Sequence, residues 1–283
     1  MRLLAVVVSY KPNIEEFEKN ISTYVADIDH LIIWENTPCD EIYYNLSDIF
    51  SNMSNITILT KNKNVGIGEA LNNAAKFAIK QGYTHLLTMD QDSFFEAGML
   101  SKFKQMISNL KKEDIGAYGV NYSSNNILAY NDNASHSLYV NECITSGTIY
   151  PTYLFKENIY FNEKMFIDAV DFEFCYRLKK KYSKKTIIIT NIILQHELGY
   201  HDDTIFSRWV SSYSAFRTYY LIRNQLYIWR HYSDLYGNYR KYFFVKNYVV
   251  LRVLNILISE KDKKKKLESI FKGLKDGFKN KCE

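Results

Sequence analysis

Six consecutive apolar residues, Leu3 to Val8, stand at the start of the chain, and three of them are valines. A short unbroken run of this kind fits a strand covered on both faces better than one half in water. Such a strand needs helices on each side, which confines the fold to the α/β classes. The pattern repeats: His30–Trp34, Ile56–Leu59, Thr84–Met89, Ile115–Val120 and Thr186–Leu194 read as further strands. Helical segments lie between them. Asn13 with Glu16 opens one to about Ala26, a second follows Gly66 and ends at Gly82, and a third covers Ala97–Leu110. The expected architecture is a mostly parallel central sheet with helices on both faces, plus a C-terminal helical extension. Residues 1–200 are expected to form the sheet domain, and 201–283 the aromatic, basic extension.

Charge is distributed unevenly. From Tyr239 onward there are 13 basic against 5 acidic residues, in a chain whose net charge is +5. A mildly acidic body with a basic tail argues against a nucleic-acid-binding core and for a C-terminus that meets an anionic surface, of which a membrane is the commonest. Tyr242–Ile258 is interrupted by Lys246, Asn247, Arg252 and Asn255, so it is not predicted to span a bilayer. It suits a helix lying in the interface. Lys11, Pro12 and Asn13 follow the first strand at once, unlike a signal peptide. The four cysteines, at 39, 143, 175 and 282, share no CxxC spacing and read as reduced thiols in a cytosolic protein. The 24 tyrosines suit surfaces that meet sugars or lipid headgroups, and equally fit an AT-rich coding bias.

Four segments carry candidate chemistry. Asp90-Gln91-Asp92 closes an inner strand, where open α/β sheets bind ligands, and two carboxylates so placed suit a divalent cation or are solvated turn acids. Asn64–Asn72 holds Gly66 and Gly68 at a helix start. There backbone N–H groups can approach phosphate or sugar, or the glycines simply tighten a loop. This stretch half-matches a dinucleotide fingerprint, but Leu71 stands at the third glycine position. Phe166–Arg177 sets Asp168, Asp171 and Glu173 among large apolar residues, as candidate bases, as helix caps, or as a Glu173–Arg177 pair. His196 follows a strand and is a third metal or phosphate ligand or a structural histidine.

Taken in order, the motifs resemble the inverting GT-A nucleotide-sugar glycosyltransferases of family two, particularly the bacterial rhamnosyltransferase-like branch. The matching stretches are V-V-S-Y at Val7–Tyr10, W-E-N-T at Trp34–Thr37, N-V-G-I-G-x-A-L-N at Asn64–Asn72 and L-x-x-D-Q-D-S at Leu87–Ser93. T-S-G at Thr145–Gly147, F-I-D-x-V-D-F-E-x-C-x-R at Phe166–Arg177, H-E-L-G at His196–Gly199 and R-x-Y-Y-x-x-R-N at Arg217–Asn224 complete the series.

The resemblance implies donor contacts from Ser9, Tyr10, Glu35, Asn64, Gly66, Asn72, Asp90 and Gln91. It implies Mn2+ or Mg2+ on Asp90, Asp92 and His196, and a catalytic base at Asp171, with Asp168 able to share that role. Thr145, Ser146, Gly147, Arg217 and Arg223 are assigned to the acceptor or the diphosphate. Two positions depart from the family: Glu35 replaces the usual Asp, and Val170 replaces the acid that commonly precedes the base. The implied reaction moves a sugar, by resemblance L-rhamnose from dTDP-rhamnose, onto a growing or lipid-linked glycan at the inner face of the cell membrane. A UDP-hexose transferase and a Rossmann-type dinucleotide enzyme are the alternatives.

Overall fold

The structure, a computed structural model, describes residues 1–110, 114–124, 127–131, 134–196 and 213–279. The first half runs β1 (Leu3–Ser9), α1 (Ile14–Ser22), β2 (His30–Glu35), α2 (Asp40–Ile49), β3 (Ile56–Thr60), α3 (Ile67–Lys80), β4 (His85–Asp90), β5 (Ser93–Phe95), α4 (Met99–Asn109) and β6 (Ile115–Ser124). Next come β7 (Ile127–Leu128), β8 (Ser137–Val140), β9 (Thr148–Pro151), α5 (Tyr153–Lys156), α6 (Val170–Tyr182) and β10 (Lys185–His196). The C-terminal part holds α7 (Ala215–His231), α8 (Ser233–Phe243), α9 (Arg252–Ser259) and α10 (Lys263–Phe278).

β1 is buried on both faces, as its composition demands. Leu3, Ala5 and Val7 pack with Phe17 and Ile21 of α1 and Phe103 of α4. Leu4 and Val6 join the opposite core with Leu71 and Ala74 of α3 and Phe174 of α6. Each large side chain so buried contributes about 1.5–3 kcal/mol. The strand order is β3-β2-β1-β4-β9-β6-β10-β5, with β7 on β6 and β8 on β10. β3, β2, β1 and β4 are parallel neighbours, as are β6 and β10. The antiparallel members β5, β7, β8 and β9 are only two to four residues long, too short for alternation to announce them.

Local departures are small. α1 stops at Ser22, and a separate 3-10 turn covers Val25–Asp27, so the helix is shorter than the sequence suggested. Asn13 caps it, accepting from the Glu16 N–H at 3.4 Å. Cys143 and Cys175 are buried thiols whose Sγ atoms lie 3.6 Å apart. The expected domain boundary at residue 200, and Glu197, Leu198 and Gly199 of the H-E-L-G stretch, lie outside the described residues.

α7 and α10 pack closely. A Cβ at Gly273 would stand 2.9 Å from the Tyr219 carbonyl oxygen, and one at Gly277 3.0 Å from that of Arg223, so only glycine lets the helices approach this closely. Among the described residues, the run Ser233–Ser259 is 27 residues and, by length and composition, long and apolar enough to cross a membrane. It is kinked at Gly237, and its Arg252 and Asn255 are buried against Glu260. One such helix is weak evidence of a span.

The loop from β3 into α3 fixes the site's floor. Gly66 has φ +82°, and the Ile67 N–H donates to the Phe166 carbonyl at 2.7 Å. A Cβ on Gly66 would lie 2.7 Å from that same oxygen. Gly66→Ala is therefore expected to lower unfolding free energy by about 1–3 kcal/mol through left-handed strain and this clash. Urea denaturation of the two proteins checks it, and an unchanged midpoint would contradict the described packing.

Candidate active site

The carboxyl ends of β1, β2 and β4 lie at one edge of the sheet, where Ser9 pairs with Glu35 and Val8 with Asp90. Asp90 ends β4, Asp92 precedes β5, and the β5–β10 pairing sets His196 opposite Ser93. Ligand atoms of Asp90, Asp92 and His196 all lie within 4.8 Å of one another. His196 Nδ1 is 2.7 Å from Ser93 Oγ and 3.8 Å from Asp92 Oδ1. A hydroxyl on one ring nitrogen fixes the imidazole's orientation, as second-shell partners of metal-bound histidines do. Two carboxylates and one imidazole make a donor set suited to a divalent cation.

The electrostatics point the same way. Burial first, then the neighbouring Asp92 charge, push the Asp90 carboxyl up to about 7, against the opposing pull of Arg217. Burial holds the His196 imidazole below its usual range despite the nearby Asp92. Two acids and a neutral imidazole crowded in this way gain from a bound cation, which favours the charged carboxylates.

Asp171 stands in the first turn of α6. Its Oδ2 accepts from the Thr145 N–H at 3.0 Å and its Oδ1 from the Phe172 N–H at 2.9 Å. Burial raises its carboxyl to about 6, with Asp90 adding to the rise and the two backbone donors opposing it. Neither Asp168 nor Asp171 occupies the N-cap of α6; that position belongs to Ala169, with no side-chain cap bond. The capping alternative is thus corrected, while the Glu173–Arg177 ion pair forms at 2.9 Å. Asp168 is gripped by Arg217 through Nη2 at 2.9 Å and Nε at 3.2 Å.

The T-S-G loop joins the two groups of acids. Thr145 holds Asp171, while the Asp90 N–H donates to Ser146 Oγ at 3.0 Å. Gly147, at φ +75°, donates its N–H to the Thr88 carbonyl at 2.8 Å. Ser146 is fully buried, and its hydroxyl braces the end of β4 at Asp90. Arg223 is 6% exposed and directed to the carbonyls of Lys164 and Met165 and to Asn224 Oδ1. Of the two arginines singled out by sequence, Arg217 reaches the acids.

The remaining predicted residues divide between surface and scaffold. Tyr10 is exposed, and its N–H donates to Gln91 Oε1 at 2.8 Å, tying the ends of β1 and β4. Buried Glu35 accepts from Ser9 Oγ and from the Thr37 N–H, both at 2.5 Å. Asn64 Oδ1 accepts from the Gly66 N–H at 2.9 Å. Asn72 is buried and bonded to Phe161 and Glu163, so it fastens α3 to the segment leading to α6.

Sequence reasoning quoted Asn224 without giving it a role. Its Nδ2 lies 2.8 Å from the carbonyl oxygens of Met165, Ile167 and Asp168. These residues flank a strained stretch in which Phe166, Asp168 and Ala169 all have φ between +61° and +63°. Positions of this kind persist only when their surroundings over-determine them. One fully buried amide on α7 supplies that constraint just before Asp171.

No protein-family model matches the chain. The dTDP-rhamnosyl transferase RfbF of Shigella flexneri is 22% identical over 235 residues, covering 78% of this chain and 78% of that protein. The crystal structure of S. aureus TarS 1–349 superposes with a TM-score of 0.51 at 15% identity, covering 99% of this chain and 72% of its own. GalNAc-T7 with UDP, GalNAc and Mn2+ superposes with a TM-score of 0.61 at 10% identity. There 99% of this chain is covered, and the chain spans 56% of that structure's length. The chain has the fold of the GT-A glycosyltransferases, and with the curated relative this supports a glycosyltransferase.

Asn224→Ala is expected to lower unfolding free energy by about 1–3 kcal/mol and to reduce sugar-transfer turnover by roughly 10–100-fold. Donor affinity should stay near wild type, because the clamp acts on the Asp168–Asp171 side. Steady-state kinetics with calorimetric donor titration separate the two, and a pure affinity loss would refute the assignment.

Proposed function

We propose that the chain is a metal-dependent, inverting glycosyltransferase that moves a sugar from a nucleoside-diphosphate donor to a hydroxyl of a growing or lipid-linked glycan. The observation that carries the reading is the joining of two acid groups by one loop: Asp90, Asp92 and His196 on one side, Asp171 on the other. The resemblance to RfbF, a dTDP-rhamnosyl transferase, favours dTDP-rhamnose as donor. Residues 1–200 form the catalytic part in this reading, and 201–283 its extension. The protein works at the inner face of the membrane, attached through residues 239–283.

Asp90, Asp92 and His196 would hold Mn2+ or Mg2+, which when bound offsets charge on the departing diphosphate. Tyr10, Asn64 and Gly66 stand at the strand and helix ends available to the nucleoside and sugar, with buried Ser9 and Glu35 shaping that edge from beneath. Arg217, whose charge is felt at Asp90, adds positive potential on the diphosphate side. Asp171 accepts the proton of the acceptor hydroxyl as that oxygen bonds to the anomeric carbon and the carbon–phosphate oxygen bond breaks. Attack opposite the leaving group inverts the configuration. Both carboxylate oxygens of Asp168 are engaged by Arg217, so Asp168 orients the arginine, which favours Asp171 as base.

A UDP-hexose donor would use the same acids, and the neighbour solved with UDP, GalNAc and Mn2+ keeps that choice in view. The dinucleotide reading is disfavoured because a loop, not a strand, runs from Thr60 into Gly66.

Two experiments test the assignment. Asp171→Asn should cut turnover by about 10²–10⁴-fold while donor binding survives. The wild-type rate should be flat above about pH 6, where the base is deprotonated, and fall as pH drops through that value, about tenfold per unit. An unaltered rate in Asp171→Asn would remove it as the base. Chelation with EDTA should abolish both donor binding and transfer, restored by Mn2+ or Mg2+; EDTA-resistant binding would turn the reading toward a dinucleotide enzyme.

A further inference from the structure

The C-terminal helices expose an apolar stripe that the catalytic reading does not use. Val250, Leu254, Leu257 and Ile258 are 50%, 43%, 49% and 54% exposed, at the spacing of one helical face. The opposite face of α9 is anchored: Arg252 pairs with Glu260, and its Nη2 donates to the Tyr213 carbonyl at 2.9 Å. The stripe is therefore a fixed outer surface of a packed helix.

Immediately after it comes a dense cationic turn. Lys261 and Lys263–Lys265 are exposed, and the first turn of α10 contains no acid. Cations there oppose the positive end of the helix dipole. Within the protein, Glu260 neutralises Lys266 at 2.5 Å, and Lys263 reaches the Leu257 carbonyl at 2.6 Å. Among the described residues, Lys261, Lys264 and Lys265 take part in no ion pair. Such a turn is relieved by an external polyanion.

Its position matters. Gly273 packs at Tyr219 and Gly277 at Arg223, so α10 runs parallel to α7, and its lysine-rich start lies at the α7 N-terminus. That terminus carries Arg217, which grips Asp168 and stacks 4.9 Å from the Tyr213 ring. Asp168, Arg217, Tyr213, Arg252 and Glu260 thus form a continuous chain of contacts from the catalytic loop to the exposed corner.

We propose that the α9–α10 corner is a docking edge for an anionic bilayer, with Leu254, Leu257 and Ile258 entering the headgroup boundary and Lys261 and Lys263–Lys265 holding lipid phosphates. The edge interleaves exposed apolar with cationic groups, which suits an anionic lipid surface better than a protein partner. Docking there holds the Asp168–Arg217 mouth against the membrane, where a lipid-linked acceptor is presented. This last consequence rests on the glycosyltransferase reading; the docking itself does not.

Co-sedimentation of the full chain with vesicles, without any sugar, separates the two. Binding is expected to vesicles of phosphatidylcholine with about 30% phosphatidylglycerol, and to weaken with salt and on neutral vesicles. Lys264→Glu with Lys265→Glu should weaken it at least about 20-fold, and Leu257→Ser with Ile258→Ser about tenfold or more. Circular dichroism and transfer to a soluble acceptor should be unchanged in both variants. Equal binding to neutral vesicles, no binding at all, wild-type affinity in both variants, or a dimer broken by the lysine substitutions would each overturn the proposal.

Discussion

Asp90 and Asp171 belong to different elements, one ending a strand and the other beginning a helix, yet two successive residues hold both. Thr145 reaches Asp171 through its backbone and Ser146 reaches Asp90 through its hydroxyl. The strap is itself tied to β4 by Thr88, whose Oγ1 donates to the Thr145 carbonyl at 2.5 Å. Separation between the cation-binding acids and the base is therefore fixed by core packing of β4 and β9, which pair antiparallel along four residues. Chemistry that needs a leaving group and a nucleophile on opposite faces of one carbon depends on such fixed spacing.

That arrangement has an electrostatic cost, which is also its use. Removing carboxyls from water raises both of them. At Asp90 the rise makes the site receptive to a cation; at Asp171 it leaves a base stronger than a solvated carboxylate but still ionised at neutral pH. One physical cause serves two roles, and the difference between them comes from the two backbone donors on Asp171 and the crowding of Asp92 beside Asp90.

Much of this was legible in the residues. The valine-rich first strand announced a two-sided sheet, and acids at the end of Thr84–Met89 announced a ligand edge. The short strands β5 and β9 were not legible, because three or four residues carry no period, although β5 is what delivers His196 to the acids. Ser146 and Arg223 were placed on the substrate because polar and charged residues in a motif suggest contact with a ligand. In the fold both are enclosed: Ser146 accepts from the Asp90 backbone, and Arg223 donates to the Lys164 and Met165 carbonyls and to Asn224. Asn224 was hidden for the same reason: a side chain that serves main-chain carbonyls leaves no mark in spacing or composition.

The Phe166 carbonyl accepts from the start of α3 while belonging to the stretch that ends at Asp171. Loops 64–68 and 162–168 are consequently not independent variables. A substitution accepted in one during evolution is conditional on the state of the other, and libraries meant to change the donor sugar would sample productive variants only when both segments are randomised together.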